Sequence, residues 1–448
     1  MQRALAIPYF LLILIKTSCL GQGSVEYLSG YSSTQAKVIT NAEYREFITW
    51  VRDSIARRIL AEEVSIRFVK AGQQIPNTEL EKLNWKVPIK WNVDAQRQAL
   101  DQMFISEHER FYQRKRIDAH KLYWVQSNPC ESTGQREKEY IAVYPDTLCW
   151  ITDTSQSNHI NYVQENLVKY YFWHRYFDNY PVQGISQEQA QAFICWKRKR
   201  EGNKTIKMLD GENNAATIKD HVKGSVDTGF WKISNAEYKA FCSWVRDSLA
   251  RRILGDNLSE DYLIMQDKFG DEIDPPKLNW KKKIDWSDEE TRRCFQQYNF
   301  QQSLKVISKY LNFEYCWLDM RSAAHPTNKE QRHKDRSVFI IKDLLAIYPD
   351  TIQWLKEYNV AGETMRFWDG KHNTNVIAGI TYPQARAFYI WKLLREGQKI
   401  KRLKTNPIAY FVIPSKEQWQ EMNDGADQKA VIFREPIPRK VYYYTLNP

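Results

Sequence analysis

Apolar residues recur at helical spacing through Tyr44, Phe47, Ile48, Val51, Ile55 and Ile59, which predicts one buried stripe on a helix opening near Asn41. Thr40 and Glu43 stand in capping-box register ahead of that stripe. A mostly polar connector follows, punctuated by Asn84-Trp85 and Trp91. The run from Tyr140 to Tyr144 reads as a strand, ending in a Pro145-Asp146 turn. Ser186-x-x-Gln189 then caps a second predicted helix carrying Phe193 and Trp196.

The whole order returns downstream. Residues 41–60 and 235–254 are identical at 15 of 20 positions. Ser234 and Glu237 repeat the first capping box, and Asn279-Trp280 and Trp286 repeat the aromatic punctuation. Val338 to Tyr348 repeats the strand with its Pro-Asp turn, and Thr381-x-x-Gln384 caps a helix with Phe388 and Trp391. The offset of about 195 residues is the size of a domain, so this is a tandem duplication and not a short-repeat solenoid. The expected division is an export signal over 1–21, repeat 1 over 31–200, a linker over 201–230, repeat 2 over 231–430 and an extension over 431–448. Glycines and asparagines mark the linker. After the second copy, 410–414 reads as a strand, Ser415-x-x-Gln418 as a helix cap, and Tyr442-Tyr443-Tyr444 as a closing strand.

Aromatic residues make up 14% of the 448 positions, enough for real cores, and a mean hydropathy of -0.63 argues against a multi-span membrane protein. The formal charge is +11. Without residues 1–21 it is 63 basic against 54 acidic residues, or +9. Such a surplus favours acidic partners, although basic and acidic residues interleave along most of the chain. No arginine-rich tract, ribonucleoprotein motif or zinc-finger spacing points to nucleic acid. Arg3, the short apolar run Ala4 to Ile15 and Thr17-Ser18-Cys19 read as an export leader. It is either cleaved after Gly21 or processed to a lipidated Cys19.

The chemistry-bearing residues are scattered. Cys130, Cys149, Cys195, Cys242, Cys294 and Cys316 have no counterparts between copies, so no inherited disulfide framework is expected, while two adventitious bridges stay open in an exported protein. No two of the eight histidines stand at i,i+3 or i,i+4, and no metal or cofactor site is expected from spacing. Nucleophile-elbow, P-loop and dinucleotide patterns are absent, so no catalytic residue is assigned. The duplicated Trp-Val-Arg-Asp-Ser-x-Ala-Arg-Arg block has two readings. Arg52, Arg57, Arg58, Arg246, Arg251 and Arg252 are candidate partner-docking residues, a carboxylate or phosphate clamp. Alternatively the arginines pair with neighbouring acids and hold the helix against the connector. Trp50 and Trp244, on the stripe, are expected to be buried.

The block resembles the GldK/PorK family, the outer-membrane lipoproteins of the type IX secretion and gliding-motility apparatus. So do Asp274-Pro275-Pro276-Lys277-Leu278-Asn279-Trp280 with Asp285-Trp286, Tyr144-Pro145-Asp146-Thr147, and Tyr180-Pro181-Val182-x-Gly184-Ile185. The resemblance spans most of 41–197 and 235–425. It implies an α+β fold of two truncated repeats like the sulfatase-modifying-factor (formylglycine-generating-enzyme) domain. Val412-Ile413-Pro414-Ser415-x-x-Gln418-Trp419 resembles one element of that domain. The half that carries the enzyme's cysteines has no counterpart here, so the resemblance implies a non-catalytic protein. It also implies lipidation of Cys19, the periplasmic face of the outer membrane, and GldN/PorN-like ring proteins as partners. A carbohydrate- or protein-binding module is the alternative, and a formylglycine-type oxidase the more distant one.

Overall fold

The computed structural model describes residues 35–70, 83–126, 139–151, 162–202, 206–209, 233–267, 270–296, 311–352, 367, 370, 372–404, 407 and 443–446. The leader with Cys19, most of the linker, and the predicted elements over 410–419 lie outside these residues.

The first copy opens with strand β1 (Gln35–Val38) and helix α1 (Asn41–Glu63). Helix α2 (Asp94–Leu100), the hairpin β2 (Tyr123–Gln126) and β3 (Glu139–Ala142), and helices α3 (Tyr162–Tyr170) and α4 (Gln187–Glu201) follow. Strand β4 (Lys207–Leu209) lies within the stretch expected to be linker. The second copy has α5 (Asn235–Asn257), the hairpin β5 (Leu263–Gln266) and β6 (Glu272–Leu278), and α6 (Glu289–Gln296). A longer hairpin, β7 (Asn312–Leu318) and β8 (Ile340–Ala346), carries two short helices between its strands, α7 (Met320–Ala324) and α8 (Lys329–Lys334). Helix α9 (Tyr382–Arg402) and strand β9 (Tyr443–Leu446) complete the chain. The architecture is α+β, helices with small antiparallel sheets. No described helix is long and apolar enough to cross a membrane.

The four predicted helix caps that fall within the described residues all form as capping boxes, at Thr40, Ser186, Ser234 and Thr381. In each copy the glutamine of the second box also reaches outward. Gln189 Nε2 donates to the carbonyls of Ala142 and Tyr144, and Gln384 Nε2 to those of Ala346 and Tyr348. One side chain thus closes a helix end and fastens it to the strand beside it. Tyr44 and Tyr238 match in the same way, each hydroxyl donating to a buried carbonyl, Val143 or Ile347. Phe47 packs with Phe193 and Trp196, and Phe241 with Phe388 and Trp391. Each copy therefore builds its own core from the same positions.

Three features depart from the symmetry of the duplication. Strand β9 enters the first copy's sheet between β1 and β4, pairing Tyr444 with Lys37 and Met208. The predicted closing strand is real, and it closes repeat 1. Cys195 is disulfide-bonded, a bridge of the kind left open by the absence of an inherited framework. The equivalent residue in the second copy is Ile390, so the bridge is particular to the first.

The third departure concerns helix length. Glu201-Gly202-Asn203-Lys204 and Glu396-Gly397-Gln398-Lys399 are equivalent. Gly202 takes a left-handed conformation and ends α4, whereas α9 runs through Gly397 to Arg402. The first copy supplies the reason. Nε2 of buried His174 bonds the Ile400 carbonyl at 2.9 Å while its Nδ1 accepts from the Tyr176 amide, and Arg175 donates to the carbonyls of Arg402 and Leu403. A helix end leaves carbonyls without partners, and cationic donors there satisfy both the hydrogen bonds and the dipole. Arg175→Ala should cost about 1 kcal/mol and speed amide exchange in the last turn of α9 without affecting α4. Gly397→Ala, with open space around its Cβ, should stabilise the chain by roughly 0.5–1 kcal/mol in a thermal melt.

Candidate functional site

The duplicated arginine block lies along α1 and α5. Residues 50 and 57 are two helical turns apart on one face, about 10.5 Å along the axis. The Trp85 ring stacks on Trp50 with centroids 5.2 Å apart, and the Arg57 guanidinium lies 4.6 Å from its centre. Those two distances nearly span the gap, so Trp85 is intercalated between Trp50 and Arg57. Trp280 sits likewise between Trp244, at 5.0 Å, and Arg251, at 4.5 Å.

The connector is held there by backbone bonds. Arg57 donates through Nε to the Asn84 carbonyl and through Nη2 to those of Trp85 and Val87. Arg251 donates to the carbonyls of Asn279 and Lys282. Asn84 Nδ2 donates to the Arg67 carbonyl, as Asn279 Nδ2 does to that of Asp261. The recurring Asn-Trp pair is therefore a plug: the asparagine fixes the loop and the tryptophan fills the slot.

The six candidate arginines thus have different surroundings. Arg57 and Arg251 are buried, and burial lowers the pKa of each. Arg52 and Arg246 pair with Asp53 and Asp247 and lie over Trp91 and Trp286. Arg58 is half-buried, its pKa lowered by desolvation near Tyr123 and Tyr140. Arg252 is exposed. Arg57 and Arg251 stand inside, not on a docking face, because a buried slot of carbonyls needs a forked donor. Trp50 and Trp244 are half-buried, not enclosed, since their outer faces are covered by Trp85 and Trp280 and not by the core.

A second constellation joins the copies. Tyr112 takes a left-handed backbone at φ 50 and delivers its hydroxyl to the edge of β7, donating to the Cys316 carbonyl and accepting from its amide, both at 3.0 Å. Burial pushes this phenol up to about 12, which keeps the donor proton in place. Arg97 and Lys115 meet Asp271 at the turn of the β5–β6 hairpin. Arg336, beyond α8, bonds both Glu109 oxygens and Asp118. His120 stands beside His333, and burial, then Arg336, lowers the His120 pKa. The seam also brings His108 and Glu109 next to Asp335, more than 200 residues downstream, with one ligand atom from each within 4.8 Å of the others. Histidine spacing along the chain gave no sign of this grouping, because its members come from different copies.

No family model matches this chain, and no curated protein or solved structure matches it.

The second copy also carries an acid-sensitive tie. Glu237 accepts from the Ser234 amide and hydroxyl and from Lys392 Nζ at 2.7 Å. Burial alone would raise its pKa. The Lys392 bond and the Ser234 donors more than offset that and leave it below the usual 4.5. A depressed folded-state pKa contributes stability that is complete above the unfolded value and lost as pH falls through the folded one. The thermal midpoint should therefore fall on titration below about pH 4.5, and Glu237→Gln should flatten part of that slope.

Proposed function

We propose that the chain is a non-catalytic structural component, or a paralogue of one, of the type IX secretion and gliding-motility ring, at the periplasmic face of the outer membrane. One observation carries the reading. The polar residues of the duplicated motif, Arg57 and Arg251, Gln189 and Gln384, Tyr44 and Tyr238, all bond to the chain's own backbone. Motif residues committed in this way build a scaffold. The GldK/PorK resemblance and the leader-like start supply the setting, with Cys19 as the lipid anchor and GldN/PorN-like ring proteins as partners. The disulfide at Cys195 suits an oxidising compartment.

A sugar-binding reading draws on exposed aromatics, and Trp85 and Trp280 are exposed by 38% and 42%. Each ring already has a tryptophan and a guanidinium as stacking partners, which compete with a sugar for it. Affinity capture of the tagged full chain from solubilised envelopes should recover secretion-ring proteins from the membrane fraction. Recovery as a free soluble monomer, with no ring component, would overturn the proposal.

A further inference from the structure

The geometry points to a divalent-cation site of the zinc class, formed by His108, Glu109 and Asp335, which staples the two copies together. His108 and Glu109 belong to the connector of the first copy. Asp335 lies just beyond α8, in the excursion of the second copy's hairpin. His108 Nε2 and Asp335 Oδ1 are 3.8 Å apart, too far for a hydrogen bond. Two ligands sharing a tetrahedral zinc with bonds near 2.0–2.1 Å are about 3.3 Å apart. A closure of about 0.5 Å at the exposed histidine brings this pair into range, and the three ligand atoms, within 4.8 Å of one another, close onto the ion together.

The two carboxylates are already held in place. Glu109 is fixed by the Arg336 amide at 2.9 Å and by its guanidinium. Asp335 is fixed by the Ser337 amide at 2.8 Å. Metal-bound carboxylates commonly accept such outer bonds, so Arg336 would stay as the outer partner of Glu109 while a free lone pair meets the ion. The local charge agrees. Arg336 is shared between Glu109 and Asp118, so two carboxylates face one guanidinium. That leaves a negative excess for a cation to neutralise. One imidazole with two carboxylates suits Zn²⁺ better than Ca²⁺ or Mg²⁺, which favour oxygen alone. Three protein ligands at a surface position leave room for water as the fourth.

The test is calorimetric titration of the metal-stripped full chain with zinc chloride, alongside thermal melts with and without the ion. Wild type should bind one Zn²⁺ at this site and melt at a higher temperature in its presence. His108→Ala and Asp335→Asn should each weaken that binding at least about tenfold and abolish the thermal shift, with unchanged circular dichroism. His108 is exposed, so its loss should not unfold the chain. Titration with magnesium chloride should give no comparable shift. Zinc binding that survives both substitutions undiminished, or a wild type that takes up no zinc, would overturn the assignment.

Discussion

Alanine at Gly184 or Gly379 should destabilise the copy that carries it by about 2–3 kcal/mol, the sum of a left-handed backbone and a blocked approach. The two glycines have φ of 74° and 70°. A Cβ on either would lie 2.2 Å from a backbone carbonyl oxygen, Asp146 or Asp350. Those aspartates donate their own amides back to the glycine carbonyls, at 2.7 and 2.6 Å. The Pro-Asp turn and the strap before α4 or α9 are thus pressed backbone to backbone, and only a missing side chain permits it. An L-residue in that conformation costs roughly 1–2 kcal/mol, and moving the strap away forfeits a backbone hydrogen bond worth about 0.5–1.5 more. Gly202→Ala is the control. It is also left-handed, at φ 65, but has open space where the Cβ would go, so it should cost only the backbone term. Urea unfolding read at constant m-value separates these outcomes. Equal costs at Gly184 and Gly202 would show that the strap can yield.

How much of this was legible depended on how local the cause was. The capping boxes are four-residue patterns whose partners lie within one turn, and the four within the described residues formed where their sequence placed them. The cores follow from helical spacing at positions that repeat. Arg57 was not legible as an interior residue. A polar-versus-apolar reading of α1 turns every arginine outward, and the tryptophan that encloses this one lies 28 residues away in an irregular connector. The duplication itself held the clue, since Arg57, Arg251, Trp85 and Trp280 recur together.

The extent of α9 was hidden for a different reason. Its Glu-Gly-x-Lys matches the sequence that stops α4, and only His174 and Arg175 of the other copy decide between stopping and continuing. Those two align with Asp369 and Gly370, so the clasp exists in one direction only. Strand β9 and the seam around Arg336 are likewise products of long-range closure. Pairings across more than 200 residues leave no periodic trace in the chain. The copies share their internal bonds and differ in the bonds between them. Duplication preserves what each unit needs to fold, while the contacts that join two units must be asymmetric.

That distinction can be tested on one helix. Arg57→Ala should lower stability by about 3–4 kcal/mol. It removes a charged donor from three carbonyls, where such bonds contribute roughly 1.5–3 kcal/mol, and takes the cation from the face of Trp85, worth about 1–2 more. Arg251→Ala should do the same to the second copy. Arg57→Lys should fall between, because an ammonium keeps the charge but not the planar fork that reaches several carbonyls at once. Arg252→Ala, exposed on the equivalent helix, should stay within about 0.5 kcal/mol of wild type. Thermal melts rank the series, and envelope capture of the same variants reads partner binding apart from folding. Loss of captured partners with Arg252→Ala at unchanged melting would place the docking face on the outer side of α5. A negligible change with Arg57→Ala would mean that Trp85 holds its slot unaided and that the guanidinium is a passenger there.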